Sequence, residues 1–162
     1  MKKILKEAGI TILIILIAAS VMSFLRKPSL ESDRLPALQS RLIDGSMLSP
    51  DEISDKPLMI YFWGTWCPVC KLEAPNIQAI SEKYTVIGIA VDSGDDEQIK
   101  HYMNEKKLNF KVINDHEGKW REKFKVEVFP TVFVYDGQGK LRFAEVGYTT
   151  TAGLLARMMA AE

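Results

Sequence analysis

The chain has 162 residues, with 21 Lys plus Arg balanced by 21 Asp plus Glu and only two cysteines. A net charge of zero gives no broad basic field, which argues against nucleic acid as a partner. Behind an apolar N-terminal stretch, about 125 residues remain, enough for one domain with one core.

Residues 1–7 carry Lys2, Lys3 and Lys6, and residues 8–25 then run without a charge through Ile-, Leu- and Val-rich sequence. At 1.5 Å per residue this run spans roughly 27 Å, close to a hydrocarbon core of about 30 Å, so it reads as a single transmembrane anchor. Cleavage as a signal peptide after Ala18, Ala19 and Ser20 competes with that reading, but Val21, Met22, Phe24 and Leu25 prolong the apolar run beyond such a site. The three lysines outweigh Arg26 and Lys27 slightly, which puts residues 1–7 in the cytoplasm and the domain outside. Residues 26–36, with Pro28, Ser29, Ser32 and Pro36, read as a linker, and residues 37–162 as the domain.

Within the domain, residues 37–43 are strand-like, Asp44-Gly45 signals a hairpin, and residues 46–48 return. Ser49, Pro50, Asp51 and Glu52 resemble a short helix start before Lys56-Pro57. Residues 58–63 form an unbroken apolar run, as expected of a central strand covered on both faces. A helix follows from Cys67 to about Tyr84, with Leu72, Ile77 and Ile80 as its expected buried positions and a kink from Pro75. Residues 85–91 make a second buried strand, and Asp92, Ser93, Gly94 and Asp95 turn into a helix over 96–107 carrying Ile99, Tyr102 and Met103 on one face. Two buried strands joined by a helix imply a parallel pair. A short strand over 110–113 and a short helix over 118–124 come next. Residues 131–135 and 140–146 flank the turn Asp136-Gly137-Gln138-Gly139 as a hairpin, and a helix over 150–161 closes the domain with Leu154, Leu155 and Met158 inward.

The two cysteines end the first strand's extension, in Trp66-Cys67-Pro68-Val69-Cys70. Pro68 has no N–H to lose and a φ suited to the first helical position, so Cys67 reads as the helix boundary residue. There it meets unpaired backbone N–H groups and the positive end of the helix dipole, which stabilise the thiolate. Moving a free thiol from about 8.5 to about 7 takes roughly 2 kcal/mol. Cys70 lies one turn on, within reach of Cys67. Three readings compete for such a pair: a redox dithiol, part of a metal site, or an inert pair. Structural zinc wants four ligands, and His101 and His116 lack any ligand spacing; Cu(I) suits two soft thiolates.

Trp-Cys-Pro-Val-Cys after an apolar strand resembles the thioredoxin superfamily, and residues 35–162 are similar to its membrane-anchored bacterial branch of TlpA-like, ResA-like and ScsD-like proteins. The resemblance implies an α/β thioredoxin-like fold, a central mixed sheet flanked by helices with an N-terminal β-hairpin, and catalysis by Cys67 and Cys70 without a cofactor. It implies a cis peptide bond at Pro130, and a substrate-binding edge formed by Phe129, Pro130 and Thr131. Thioredoxins usually carry a smaller aliphatic residue where Phe129 stands. Their buried strand acid is missing here, since Tyr61 holds its place, but TlpA-like proteins carry a glutamate where Glu73 stands. That glutamate reads either as a proton acceptor for Cys70 or as a solvated helix residue. Trp66 and Pro68 are expected to shape the site, and Trp63, Trp120 and Phe124 to pack. His101 and His116 are expected at the surface. The acidic run Asp92, Asp95, Asp96 and Glu97 is expected to be a solvated helix start. By the same resemblance the chain is a periplasm-facing reductant of protein disulfides in a bacterial inner membrane, recharged by a transmembrane thiol carrier of the DsbD or ScsB kind. A cytochrome-c-maturation reductant, a disulfide oxidase and a copper-binding protein are the competing readings.

Overall fold

A computed structural model describes Gly9, residues 32–50 and residues 53–162. Apart from Gly9, the expected cytoplasmic tip, the expected anchor over 8–25 and the expected linker as far as residue 31 lie outside the described residues, as do Asp51 and Glu52 of the expected short helix start. Among the described residues no helix is long and apolar enough to cross a membrane.

The elements follow in the order β1 (Leu58–Trp63), α1 (Pro68–Ser81), β2 (Thr85–Val91), α2 (Asp96–Glu105), β3 (Lys111–Asp115), α3 (Lys119–Lys123), β4 (Thr131–Tyr135), β5 (Leu141–Val146) and α4 (Thr151–Met159). They build one five-stranded sheet in the order β3-β2-β1-β4-β5. The β1–β2 and β2–β3 pairs are parallel, while β1–β4 and β4–β5 are antiparallel.

All six residues of β1 are buried, and their alternation divides the core in two. Met59, Tyr61 and Trp63 pack with Ile77 and Ile80 of α1 and Leu154 and Met158 of α4. Leu58, Ile60 and Phe62 pack with Phe124, Phe133 and the N-terminal leucines Leu38, Leu42 and Leu48. An apolar run with no alternation is what a strand covered on both faces requires. Gly88 on β2 is fixed by close approach: a Cβ there would lie 2.8 Å from the Phe110 ring and 2.9 Å from Trp63 Nε1.

Three expectations need correction. Leu72 is 70% exposed, although its hydrophobicity marked it for the core. The buried stripe of α1 runs instead through Cys70, Glu73, Ala74, Ile77 and Ile80 at helical spacing, and Leu72 lies about 200° around the axis from Cys70. The helix also stops at Ser81, and Pro75 lies within it. The turn at Asp44-Gly45 forms, with the Leu42 N–H donating to Ser46 O at 2.8 Å, but its arms pair only at Arg41 and Met47. Leu42 instead bridges Ile113 of β3, and Ile43 N–H donates to Val112 O at 2.9 Å, so this segment extends the sheet edge.

At the other edge, Asp33 and Leu35 bond to the β4–β5 hairpin: Leu35 N–H donates to Gly139 O at 2.7 Å and Leu141 N–H to Asp33 O at 2.6 Å. These residues, read as linker, therefore pair with the sheet.

Asp115 is a second buried carboxylate, 3% exposed, at the end of β3. It accepts the backbone N–H groups of Trp120 and Arg121 at 3.0 and 2.8 Å, which ties the start of α3 to the sheet. Asp115→Ala leaves both donors without that acceptor and is expected to cost about 1–2 kcal/mol in urea unfolding, whereas Asp115→Asn should recover part of the loss.

Candidate active site

The C-terminal end of β1 delivers the chain to Gly64, Thr65 and Trp66 and then into α1. Two bonds brace this loop against the end of β2: Thr65 N–H donates to Ser93 Oγ at 3.0 Å, and Trp66 Nε1 to Val91 O at 3.0 Å. Gly64 is required for the second, since a Cβ there would sit 2.6 Å from Trp66 Nε1. The indole, half exposed, thus lies back over the loop with one face to solvent.

Cys67 is the N-cap of α1 in extended conformation and Pro68 is its first residue, as the sequence implies. Cys67 and Cys70 form a disulfide with Cα atoms 5.3 Å apart. Cys67 is 4% exposed and Cys70 1%. Cys70 N–H donates to Cys67 Sγ at 3.1 Å, so the sulfur already occupies the place of an anion at a helix N-terminus.

One turn behind Cys70, Glu73 is 0% exposed. Its Oε1 accepts Thr149 N–H at 2.7 Å, while its Oε2 is buried without a hydrogen bond to any described residue. Burial pushes the Glu73 carboxyl up to about 7, with the Thr149 N–H acting in the opposite direction. Tyr61, beneath it on β1, donates from its hydroxyl to Cys70 O at 3.4 Å. Burial, and then the Glu73 carboxylate, hold that phenol well above its usual range. Cys70, Glu73 and Tyr61 therefore make one buried cluster behind the disulfide.

The third part is the loop before β4. The Phe129–Pro130 bond is cis. Pro130 O accepts Gly147 N–H at 2.8 Å, and the Thr131 hydroxyl donates to Val128 O at 2.7 Å. Thr131 is buried, so its side chain serves the loop from inside. The Phe129 ring meets Trp66 edge to face at 5.4 Å between centroids, which ties this loop to the one carrying Cys67. The backbone N–H and C=O of Phe129 make no hydrogen bond with another described residue.

Some participants were not found from the sequence. Asn76 donates to Tyr148 Oη at 3.2 Å and to Thr149 O at 3.0 Å, holding the loop after β5 against α1. Nothing in the spacing of Asn76 and Thr149, 73 residues apart, signals this. His101 and His116 are exposed. Among the described residues no group of three or more His, Cys, Asp and Glu side chains is arranged to hold a metal ion. Asp95 caps α2 by accepting Gln98 N–H at 2.8 Å, and Asp96 pairs with Arg41 at 2.7 Å, so the acidic run is a helix start with partners.

A mixed thioredoxin-like sheet that presents a Cys-x-x-Cys disulfide at a helix N-terminus beside a cis-proline defines a thiol-disulfide oxidoreductase. Residues 32–144 match the model of the AhpC/TSA family, and the chain belongs to that family. It is similar to a thioredoxin-like protein of Haemophilus influenzae, at 29% identity over 163 residues that cover 99% of this chain and 96% of the relative. It is also similar to the thiol-disulfide oxidoreductase ResA of Oceanobacillus iheyensis, at 26% identity over 81% of this chain and 76% of the relative. Among solved structures, a secreted disulfide oxidoreductase of Mycobacterium tuberculosis matches with a TM-score of 0.65 and 25% identity, over 76% of this chain and 95% of that one. The ResA-type relatives agree with the branch expected from the motif.

Proposed function

We propose that the chain is a membrane-anchored reductant of protein disulfides, held by residues 8–25 in a bacterial inner membrane with its dithiol facing the periplasm. In the reaction, the Cys67 thiolate attacks a partner disulfide, the partner's S–S bond breaks, and the departing partner thiolate takes a proton. Cys70, deprotonated with Glu73 as acceptor, then attacks Cys67 Sγ, which releases the reduced partner and leaves the Cys67–Cys70 disulfide. Two electrons have passed from the dithiol to the partner. A transmembrane thiol carrier of the DsbD or ScsB kind restores the dithiol by the same exchange in reverse. The free backbone of Phe129 offers an extended partner segment a strand-like edge beside the sulfur.

The observation that carries the direction is Glu73. A strong disulfide donor is one whose reduced, thiolate form is stabilised. A buried carboxylate one turn behind the dithiol repels a thiolate and so disfavours that form once Glu73 is ionised.

The test is the reduction potential of the detergent-solubilised full chain, equilibrated against glutathione and dithiothreitol buffers at pH 7. A value near or below about −220 mV is expected; one near about −120 mV would reverse the direction and make the protein a disulfide donor.

A further inference from the structure

Phe129 packs against Trp66, the residue before Cys67, and departs from the smaller residue usual before this proline, and its ring is held from two sides. Trp66 meets it edge to face at 5.4 Å, and the Arg121 guanidinium lies over it with Cζ 5.9 Å from the ring centroid. Arg121 is exposed at the surface yet fixed in place. Its backbone N–H is bound by Asp115 at 2.8 Å, and its Nε donates to Val126 O at 3.2 Å, which orients the guanidinium toward the loop before Pro130. No carboxylate pairs with it among the described residues, so its terminal nitrogens remain open to a ligand. A planar, permanently charged, oriented fork at the rim of a peptide-binding edge suits a carboxylate.

We infer that Arg121 is a specificity-determining residue that selects partner polypeptides carrying an acidic side chain within two residues of the reacting cysteine. This rests on the oxidoreductase reading above and adds the substrate class. An extended segment paired with the Phe129 backbone advances about 3.3 Å per residue, so side chains one or two positions from its cysteine fall within the reach of a guanidinium stacked on the Phe129 ring. The carboxylate meets Arg121 at the rim, where the pair sets partner choice and encounter rate more than overall affinity.

The test uses the full chain with two synthetic peptides, identical except that Asp or Lys flanks the single cysteine. Each is supplied as its mixed disulfide with 2-mercaptoethanol to the reduced protein, and as the free thiol to the oxidised protein. The readout is the ratio of the two kcat/KM values within each variant. Wild type is expected to favour the Asp peptide by about fivefold at low salt, with the preference shrinking as ionic strength rises. Arg121→Gln should bring the ratio near one and Arg121→Glu should invert it. A wild-type ratio near one, a ratio unmoved by Arg121→Glu, or no reaction with either peptide overturns the inference. A wrong redox direction shows separately, as an equilibrium lying toward peptide disulfide with the ratio intact.

Discussion

Cys67→Ser is expected to reduce disulfide exchange to the uncatalysed rate, whereas Cys70→Ser should still make the first attack and then stall as a covalent adduct with its partner. The asymmetry follows from placement. Cys67 is the N-cap of α1 and its sulfur accepts the Cys70 N–H, so it is the group whose thiolate the helix terminus stabilises. Cys70 is 1% exposed and backed by Glu73 and Tyr61, out of a partner's reach but able to attack Cys67. Incubating each variant with a peptide disulfide and following the products by non-reducing mass spectrometry separates the two. An adduct trapped on Cys67 in Cys70→Ser is the expected outcome; a trapped adduct in Cys67→Ser would exchange the assigned roles.

Glu73→Gln is expected to remove most of the pH dependence of stability in the oxidised protein between about pH 4.5 and 7. The folded carboxyl titrates at about 7 and the unfolded one at 4.5, so between these values the folded chain holds a proton that the unfolded chain has lost. Stability is then fully present below pH 4.5 and declines as pH rises through 7, by about 3 kcal/mol at 1.36 kcal/mol per unit. Gln has no proton to lose, and its carbonyl oxygen can still accept the Thr149 N–H. Urea unfolding at pH 5 and pH 8 measures the difference: wild type should lose about 2.5 kcal/mol between them and Glu73→Gln should lose far less. Equal losses would show that Glu73 does not carry the effect. The same substitution removes a buried negative charge beside the dithiol and should move the reduction potential toward the oxidising side.

How far the chain could be read without its structure depends on the range of the interaction that decides each feature. Local chemistry was legible. Pro68 marks the first residue of α1, Asp95 caps α2, and the unbroken run of β1 is buried on both faces. The cis bond at Pro130 came from resemblance to a family, since nothing in Phe129-Pro130-Thr131 alone demands it. The exposure of Leu72 was beyond reach, because hydrophobicity ranks leucine above glutamate for burial, whereas Glu73, one turn after Cys70, stood open between a proton acceptor and a solvated residue. Only the packing of the β5–α4 loop, with Thr149 reaching back to the carboxylate, reverses that order. The segment around Leu42 shows the same limit: its turn is local, whereas its pairing with Ile113 joins residues far apart in sequence. Arg121 could not be connected to Phe129 before α3 was placed beside the loop that precedes Pro130.

The pairing of Asp33 and Leu35 with the β4–β5 hairpin bears on how the enzyme meets its partners. Leu141 and Tyr135 lie in register with each other and, through β4, with Leu58, the first residue of β1, while Cys67 lies four residues beyond Trp63, the last residue of that strand. The polypeptide therefore enters the sheet at one pole and offers its sulfur at the other, separated by the length of a six-residue strand, about 20 Å. Handle and blade are at opposite ends. Among the described residues, the end of the sheet at which the chain begins is thus kept apart from the end at which a partner would meet the dithiol.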